Sequence, residues 1–183
     1  MSAWWILGIV VLLLVVLAWL YNGLVTARMR VRNAWAQIDV QLLRRSDLIP
    51  DLVESVRGYM KHESGIFDRI LEARRAATAA GADIPARAAA EAALGRQVQG
   101  LLALAEAVPE LRASDNMKAL QEELATTENR IAFARQFLND AVMDYNNRIQ
   151  TVPSNLLAGP FGFAPERFFE VPAEARAKPV VAF

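Results

Sequence analysis

The feature that most constrains this chain is a stretch of seventeen uncharged residues, 4–20, close to its N-terminus. As a helix, residues 3–21 would measure about 28 Å, which is close to the roughly 30 Å hydrocarbon thickness of a bilayer. Aromatic residues whose rings favour the membrane–water interface stand at both ends of the stretch. These residues are Trp4, Trp5, Trp19 and Tyr21. The sequence therefore predicts a transmembrane helix.

The flanks of the stretch favour an uncleaved anchor over a signal peptide. No basic residue precedes the apolar run, and Ala18-Trp19-Leu20 is too bulky for a small-x-small cleavage site. Arg28, Arg30 and Arg32 follow the run, and no acidic residue occurs before Asp39. The positive-inside rule then predicts an N-terminus outside and a cytoplasmic C-terminal domain. The same arginines can also attract anionic lipid headgroups.

Composition argues against catalysis and against nucleic-acid binding. The 20 basic and 20 acidic residues balance, so no general attraction to nucleic acid is expected. The chain has no cysteine and one histidine, His62, which we interpret as a solvated residue at a helix end. Asp140 and Asp144 lie one helical turn apart, a spacing that suits oxygen ligands of a cation, but we interpret them as solvated. We predict no enzyme, no catalytic residue, no cofactor and no metal.

Beyond the membrane stretch, apolar residues recur in alternating steps of four and three, which predicts a heptad seam on the same helix. Arg45 is the polar interruption of this seam, and Pro50 should kink the helix or restart it at Ser46 or Asp47. The predicted seam residues are Val31, Trp35, Ile38, Leu42, Ile49, Leu52, Val56 and Tyr59.

Three further helices are predicted. The second follows a turn at residues 58–65, with Ser64 as N-cap. The third follows the Gly/Asp/Pro break at residues 81–85 and ends at Pro109. The fourth is capped by Ser114 or Asp115 and ends before Pro153. Its predicted seam residues are Met117, Leu120, Leu124, Thr127, Ile131, Ala134, Leu138, Ala141 and Tyr145.

Together these patterns predict an all-α fold. An N-terminal transmembrane helix would continue into an up-and-down four-helix bundle with two long and two shorter helices. The expected domains are a short external N-terminus with the membrane helix (1–21), the bundle (22–152) and an extended C-terminal tail (153–183). The antiparallel arrangement of the two long helices would place Arg45 opposite Glu128, where an ion pair would specify the register.

The tail carries five of the eight phenylalanines and should dock on another surface. Its own bundle, a neighbouring subunit and the membrane surface are the three alternatives. The phenylalanines are Phe161, Phe163, Phe168, Phe169 and Phe183.

Several motifs spread over residues 21–170 closely resemble the LemA family. The resemblance rests on these runs: Tyr21-Asn22-x-Leu24-Val25, Asn33-Ala34-Trp35-x-Gln37-Ile38-Asp39-Val40-Gln41-Leu42, Arg44-Arg45-x-Asp47-Leu48-Ile49-Pro50-Asp51-Leu52-Val53, Gly58-Tyr59 with His62-Glu63, Leu120-Gln121-x-Glu123-Leu124-x-x-Thr127-Glu128-x-x-Ile131-Ala132, Tyr145-Asn146-x-x-Ile149, Pro153-x-Asn155, Gly162-Phe163 and Phe168-Phe169-Glu170.

The resemblance implies a bacterial single-pass protein of the cytoplasmic membrane with a cytoplasmic helical bundle. Relatives are linked to envelope stress and to membrane organisation, including magnetosome formation, and no catalytic residue is implied. We expect a scaffold that self-associates into a homo-oligomer through the first helix and organises membrane or envelope assemblies. The alternative is a membrane-tethered adaptor or sensor that regulates a partner such as a membrane protease or kinase. The predicted partners are the lipid bilayer, further copies of the chain and a membrane protein.

Overall fold

The computed structural model describes residues 2–60, 64–81 and 83–170, and this part of the chain is helical and contains no strand. The helices are α1 (Ser2–Arg57), α2 (Ser64–Ala79), α3 (Ile84–Glu106), α4 (Pro109–Ala113), α5 (Asp115–Gln150) and α6 (Asn155–Ala158). The interpretation of His62, the match at Glu63, and the predictions for Phe183 and the rest of residues 171–183 lie outside the described residues.

The N-terminal part of α1 has the properties of a membrane span. It is long and apolar enough to cross a bilayer, and none of its most apolar stretch is buried against the rest of the chain. The exposed side chains include Leu12, Leu13 and Leu14, which are each more than half exposed. Such a run of leucine and valine side chains is stable in hydrocarbon and unfavourable in water.

Helix α1 continues through Pro50, so the alternative of a restart at Ser46 or Asp47 is wrong. A proline within a helix has no backbone N–H for the carbonyl four residues earlier, which here is that of Ser46. The Arg74 guanidinium supplies this missing donor, because its Nε lies 2.9 Å from the Ser46 carbonyl oxygen and 3.0 Å from the Ser46 hydroxyl. A side chain of α2 therefore satisfies the backbone group that Pro50 leaves unpaired.

The chain divides into two compact units. Unit 1 contains residues 2–37 and 136–168 of the described chain. Its buried side chains come from α1, α5, α6 and the segment after α6. They are Leu24, Ala27, Val31, Ala34, Leu138, Val142, Tyr145, Ile149, Ala158 and Phe163.

Unit 2 contains residues 38–135 together with Phe169 and Glu170. Its core draws on α1, α2, α3, α4 and α5, so each of these helices contributes an apolar face to one cluster. The largest fully buried members are Ile49, Leu52, Ile70, Leu94, Leu101, Leu111, Met117 and Leu124.

The buried stripes differ from the predicted seams at several positions. Ala34 is fully buried where Trp35 was predicted, and Trp35 itself is half-buried. On α5, Val142 is buried and Ala141 is only partly buried. A straight helix has 3.6 residues per turn, so its buried stripe drifts by about 20° per heptad away from a strict 3.5-residue repeat. Tyr59 follows the end of α1 and is exposed.

The positions of the helix ends depend on local proline and serine residues more than on the apolar pattern. Pro85 lies in the first turn of α3, a position where its missing N–H is tolerated. Pro109 begins the five-residue helix α4 instead of only ending α3, and the prediction contained neither α4 nor α6. Ser114 accepts a hydrogen bond from the Met117 backbone N–H at 3.4 Å, which fits its predicted role as the cap of α5.

Candidate functional site

Unit 1 joins the end of the membrane-spanning stretch to the segment that follows α6. Trp4, Trp5 and Trp19 are at least 74% exposed, as expected of side chains that face lipid headgroups. The Tyr21 ring, in contrast, contacts the rings of Phe161 and Phe163, with centroids 5.1 and 5.9 Å apart. At these two residues, the segment after α6 packs on α1 of its own chain.

The three arginines that follow the span differ in their surroundings. The Arg28 guanidinium lies 4.6 Å from the centre of the Phe163 ring, a cation–π contact. Arg30 Nη1 lies 4.0 Å from an Asp144 carboxylate oxygen, and Arg32 is exposed. Asp144 also accepts a 3.0 Å hydrogen bond from Arg148 Nε, while Asp140 is exposed. In the described part of the chain, no group of three His, Cys, Asp or Glu residues could hold a metal ion.

Two neighbouring residues of α5 hold the segment after α6 in place. The Tyr145 hydroxyl donates a 3.0 Å hydrogen bond to the Ala164 carbonyl, and Asn146 exchanges two hydrogen bonds of 2.8 and 2.9 Å with the Glu166 backbone. The turn before this segment requires Gly162, because its φ of 69° is one that other residues rarely adopt. The heptad spacing of α5 predicts Tyr145 as a packing residue but does not predict this docking role.

Burial raises the pKa of the Tyr145 phenol above its ordinary value of about 10. The positive charge of Arg28 opposes this shift, and the negative charge of Glu166 adds to it. The neutral phenol is therefore the form that the folded protein favours. Its contribution to stability is complete below about pH 10 and is lost as the pH rises from there through the raised pKa.

Replacing Tyr145 by phenylalanine tests this contact. We expect a free energy of unfolding about 1 kcal/mol lower at neutral pH, because the hydrogen bond to Ala164 is lost. Above about pH 10 the wild type should lose stability more steeply than the variant, and denaturant unfolding followed by circular dichroism measures both. Replacing the exposed Tyr59 by phenylalanine is the control. Equal alkaline profiles for the wild type and Tyr145→Phe would contradict the assignment.

Unit 2 contains a buried ion-pair cluster centred on Arg45. Arg45 Nη1 donates to a Glu128 carboxylate oxygen at 3.0 Å, so the predicted pairing of Arg45 with Glu128 is confirmed. Arg45 Nη2 donates to the Glu91 carbonyl at 2.9 Å and also pairs with the Glu91 carboxylate. The Arg45 side chain is 4% exposed, the Glu91 side chain 10% and the Glu128 side chain 28%. Glu91 is therefore the more buried partner. Its pairing with Arg45 was not predicted from the sequence.

Gly95 provides the space that the Arg45 guanidinium occupies. A Cβ at position 95 would lie 3.1 Å from Arg45 Nη1, tighter than most real contacts. Arg45 is held by two carboxylates and has little freedom to move away. Around the cluster, Arg87 pairs with Asp39 at 2.6 Å. The cluster thus connects α1, α3 and α5 through charges as well as apolar contacts.

Three more of the predicted packing residues are buried, whereas Trp35 is half-buried. Ile38 and Leu42 are buried on α1, and Ile131 is buried on α5. None of these three presents its side chain at the surface. Ile38, Leu42 and Ile131 therefore belong to the interior of their own unit.

The fold and these contacts define a class of protein: a chain that is helical throughout its described core, with a candidate membrane-spanning helix near its N-terminus. The chain belongs to the LemA family, whose pattern matches residues 34–183. This confirms the resemblance that the sequence motifs indicate.

The chain is also similar to curated magnetosome proteins. Magnetosome protein MamQ 2 of Paramagnetospirillum magneticum (strain AMB-1) is 25% identical over 175 residues, which cover 82% of this chain and 64% of that protein. Magnetosome protein MamQ of Magnetospirillum gryphiswaldense is 27% identical over 179 residues, which cover 84% of this chain and 66% of that protein. The chain thus spans slightly less than two thirds of the length of these relatives.

Proposed function

We propose that this protein is a non-enzymatic, membrane-anchored helical scaffold that self-associates into a homo-oligomer and organises membrane or envelope assemblies. The observation that carries the proposal is α1 itself. One uninterrupted helix of 56 residues contains both the apolar stretch suited to a bilayer and an exposed apolar surface in unit 2. The similarity to proteins named as magnetosome proteins supports a role in membrane organisation.

The proposed architecture is a membrane helix (1–21), a four-helix bundle (22–152) and a tail (153–183). Within unit 2, the apolar cluster shared by α1, α2, α3 and α5 supports an up-and-down bundle of these helices. Leu111 of the shorter α4 lies in the same cluster.

The proposed location is the bacterial inner membrane, with the N-terminus outside and unit 2 in the cytoplasm. Arg28, Arg30 and Arg32 support this topology, since basic residues are retained on the cytoplasmic side. The chain has no cysteine, so one introduced thiol is unique. We expect a membrane-impermeant maleimide to leave the exposed position of Thr126→Cys unlabelled in intact cells and to label it after lysis. Labelling in intact cells would contradict the topology.

Self-association is proposed to use the outer surface of α1 in unit 2. Val40 and Leu43 lie three residues apart, which places them on one face of the helix, and their side chains are 61% and 62% exposed. We define these two residues as the α1 patch. A second copy of the chain is the proposed occupant. Copies anchored in one bilayer share an orientation and meet by lateral diffusion, so a small patch contributes more to association than it would in solution.

Mass photometry of the full chain in detergent tests the proposal. We expect assemblies that contain several copies of the 20.2 kDa chain. Asp140→Ala, at an exposed position that is not part of the α1 patch, should leave the assemblies unchanged. A strict monomer at all concentrations would contradict the scaffold and would favour the alternative, a membrane-tethered adaptor or sensor acting on a membrane protease or kinase. The exposed Phe133 side chain in unit 2 is the observation that favours a protein partner of this kind.

A further inference from the structure

Unit 1 contains an open groove of about 500 Å³ where α1 leaves its membrane-spanning stretch. The lining of the groove includes the apolar or small residues Trp19, Leu20 and Gly23. The lining also includes the cationic residues Arg30 and Arg148 and the hydroxyl residue Ser154. Apolar and cationic groups thus meet in one concave surface, the combination that binds amphipathic anions.

The position of the groove along α1 matches the depth of lipid headgroups. Trp19 marks the edge of the hydrocarbon region, and Arg30 follows it by about 16 Å along the helix axis. Helical side chains tilt toward the helix N-terminus, which for α1 is the membrane end. A long arginine side chain at position 30 can therefore reach back toward the bilayer, to the level of lipid phosphates.

The charges of the groove favour an anion. Asp144 lies 3.0 Å from Arg148 Nε and 4.0 Å from Arg30 Nη1, so one carboxylate faces two guanidinium groups. The bond to Asp144 uses only Nε of Arg148, and the terminal nitrogens carry four further N–H donors. The last carbonyls of α5 would repel an anion, but the Ser154 hydroxyl lies within hydrogen-bond distance of the Arg148 and Thr151 carbonyl oxygens. Two guanidinium groups suit the oxygens of a phosphate diester.

The turn beside the groove has the surface of a lipid-facing element. Residues 151–165 contain no charged side chain, and the exposed fractions of Val152, Leu156 and Phe161 are 78%, 70% and 56%. The Phe161 ring contacts Tyr21, which stands at the end of the membrane-spanning stretch. Three large apolar side chains of one turn are unfavourable in water and favourable against lipid. The turn thus indicates that the groove opens toward the bilayer.

We propose that this groove binds one anionic phospholipid of the membrane in which the chain is anchored. Arg30 and Arg148 bind the phosphate, and the first part of an acyl chain lies along Trp19 and Leu20. The turn with Val152 and Leu156 rests in the headgroup layer and borders the bound lipid. The site does not depend on self-association, because every part of it comes from unit 1 of a single chain.

Native mass spectrometry of the full chain in detergent, titrated with phosphatidylglycerol or with phosphatidylcholine, tests this site. We expect one phosphatidylglycerol retained per chain and markedly weaker retention of phosphatidylcholine. Arg30→Gln and Arg148→Gln should each weaken phosphatidylglycerol binding roughly fivefold, and the double variant more than tenfold. Arg32→Gln is the matched control: it removes the same charge from the same arginine group at an exposed position outside the groove, and binding should stay unchanged.

Three outcomes would overturn the proposal. The first is equal retention of the two lipids. The second is an equal loss of binding in Arg30→Gln, Arg148→Gln and Arg32→Gln, which would indicate a diffuse attraction to the arginines. The third is displacement of phosphatidylglycerol by millimolar inorganic phosphate, which would assign the groove to free phosphate. Circular dichroism of each variant should show unchanged helix content, since all three arginine side chains lie at the surface.

Discussion

Replacing Arg45 by methionine is expected to lower the free energy of unfolding by about 3–5 kcal/mol. The methionine side chain is apolar and of similar length, so it is not itself the cause of the loss. The loss comes from Glu91, whose carboxylate remains buried and loses its guanidinium partner, while its carbonyl loses the hydrogen bond from Nη2. Denaturant unfolding of the detergent-solubilised chain, followed by circular dichroism, measures the change.

The adjacent residue provides a matched control. Arg44 pairs with Glu123 at 2.8 Å, but both side chains are more than 40% exposed. Surface ion pairs of this kind contribute at most about 1 kcal/mol, so Arg44→Met should change stability little. Equal losses for Arg44→Met and Arg45→Met would contradict the account of the buried cluster.

A double variant separates the buried charge from the packing. Arg45→Met combined with Glu91→Leu removes both buried charges and should recover most of the stability lost in Arg45→Met, since Glu128 is partly exposed and stays solvated. If the double variant is less stable than Arg45→Met, the loss comes from packing around the guanidinium and not from the unpaired carboxylate.

The second large effect is expected at the α1 patch. Replacing Val40 and Leu43 together by glutamate should convert the assemblies into single chains at the same protein concentration. Burial of one such side chain contributes about 1.5–3 kcal/mol, so the two changes should weaken association at least 100-fold. Because both side chains are exposed within the chain, the free energy of unfolding of the single chain should not fall.

Mass photometry of three proteins checks this result. The control carries Gln99→Glu and Ala103→Glu, which add the same two charges at exposed positions of α3. We expect this control to assemble like the wild type. Loss of assembly in both variants would indicate a general effect of negative charge, and retained assembly in Val40→Glu/Leu43→Glu would place the contact elsewhere.

The features that can be predicted from the sequence are those that depend on composition and on the regular spacing of apolar residues. The span follows from a run without charge, and the pairing of Arg45 with Glu128 follows from counting residues along two antiparallel seams. Glu91 could also have been found. It precedes Leu94 by three residues and Val98 by seven, so it occupies the buried stripe of α3 as a charged residue among apolar ones.

Other features depend on contacts that no local pattern indicates. Pro50 predicts an unpaired carbonyl at Ser46, but nothing in the sequence points to Arg74, 28 residues away, as its donor. Ala34 is buried in place of Trp35 because the period of a straight helix differs slightly from that of a heptad repeat. The docking of residues 163–166 depends on Tyr145 and Asn146, whose polar atoms bind backbone groups 19 and 20 residues later.

Copies of this chain that are anchored in one membrane are proposed to meet through the α1 patch. Val40→Cys and Leu43→Cys each introduce a single thiol into a chain without cysteine, so a short bismaleimide linker cannot form a bridge within one chain, and a product of twice the chain mass joins two copies. Treatment of intact membranes should give covalent dimers of both variants on a denaturing gel. Ala103→Cys, exposed on α3, should remain monomeric. Monomers alone in Val40→Cys and Leu43→Cys, or equal dimer yields in all three variants, would contradict the account.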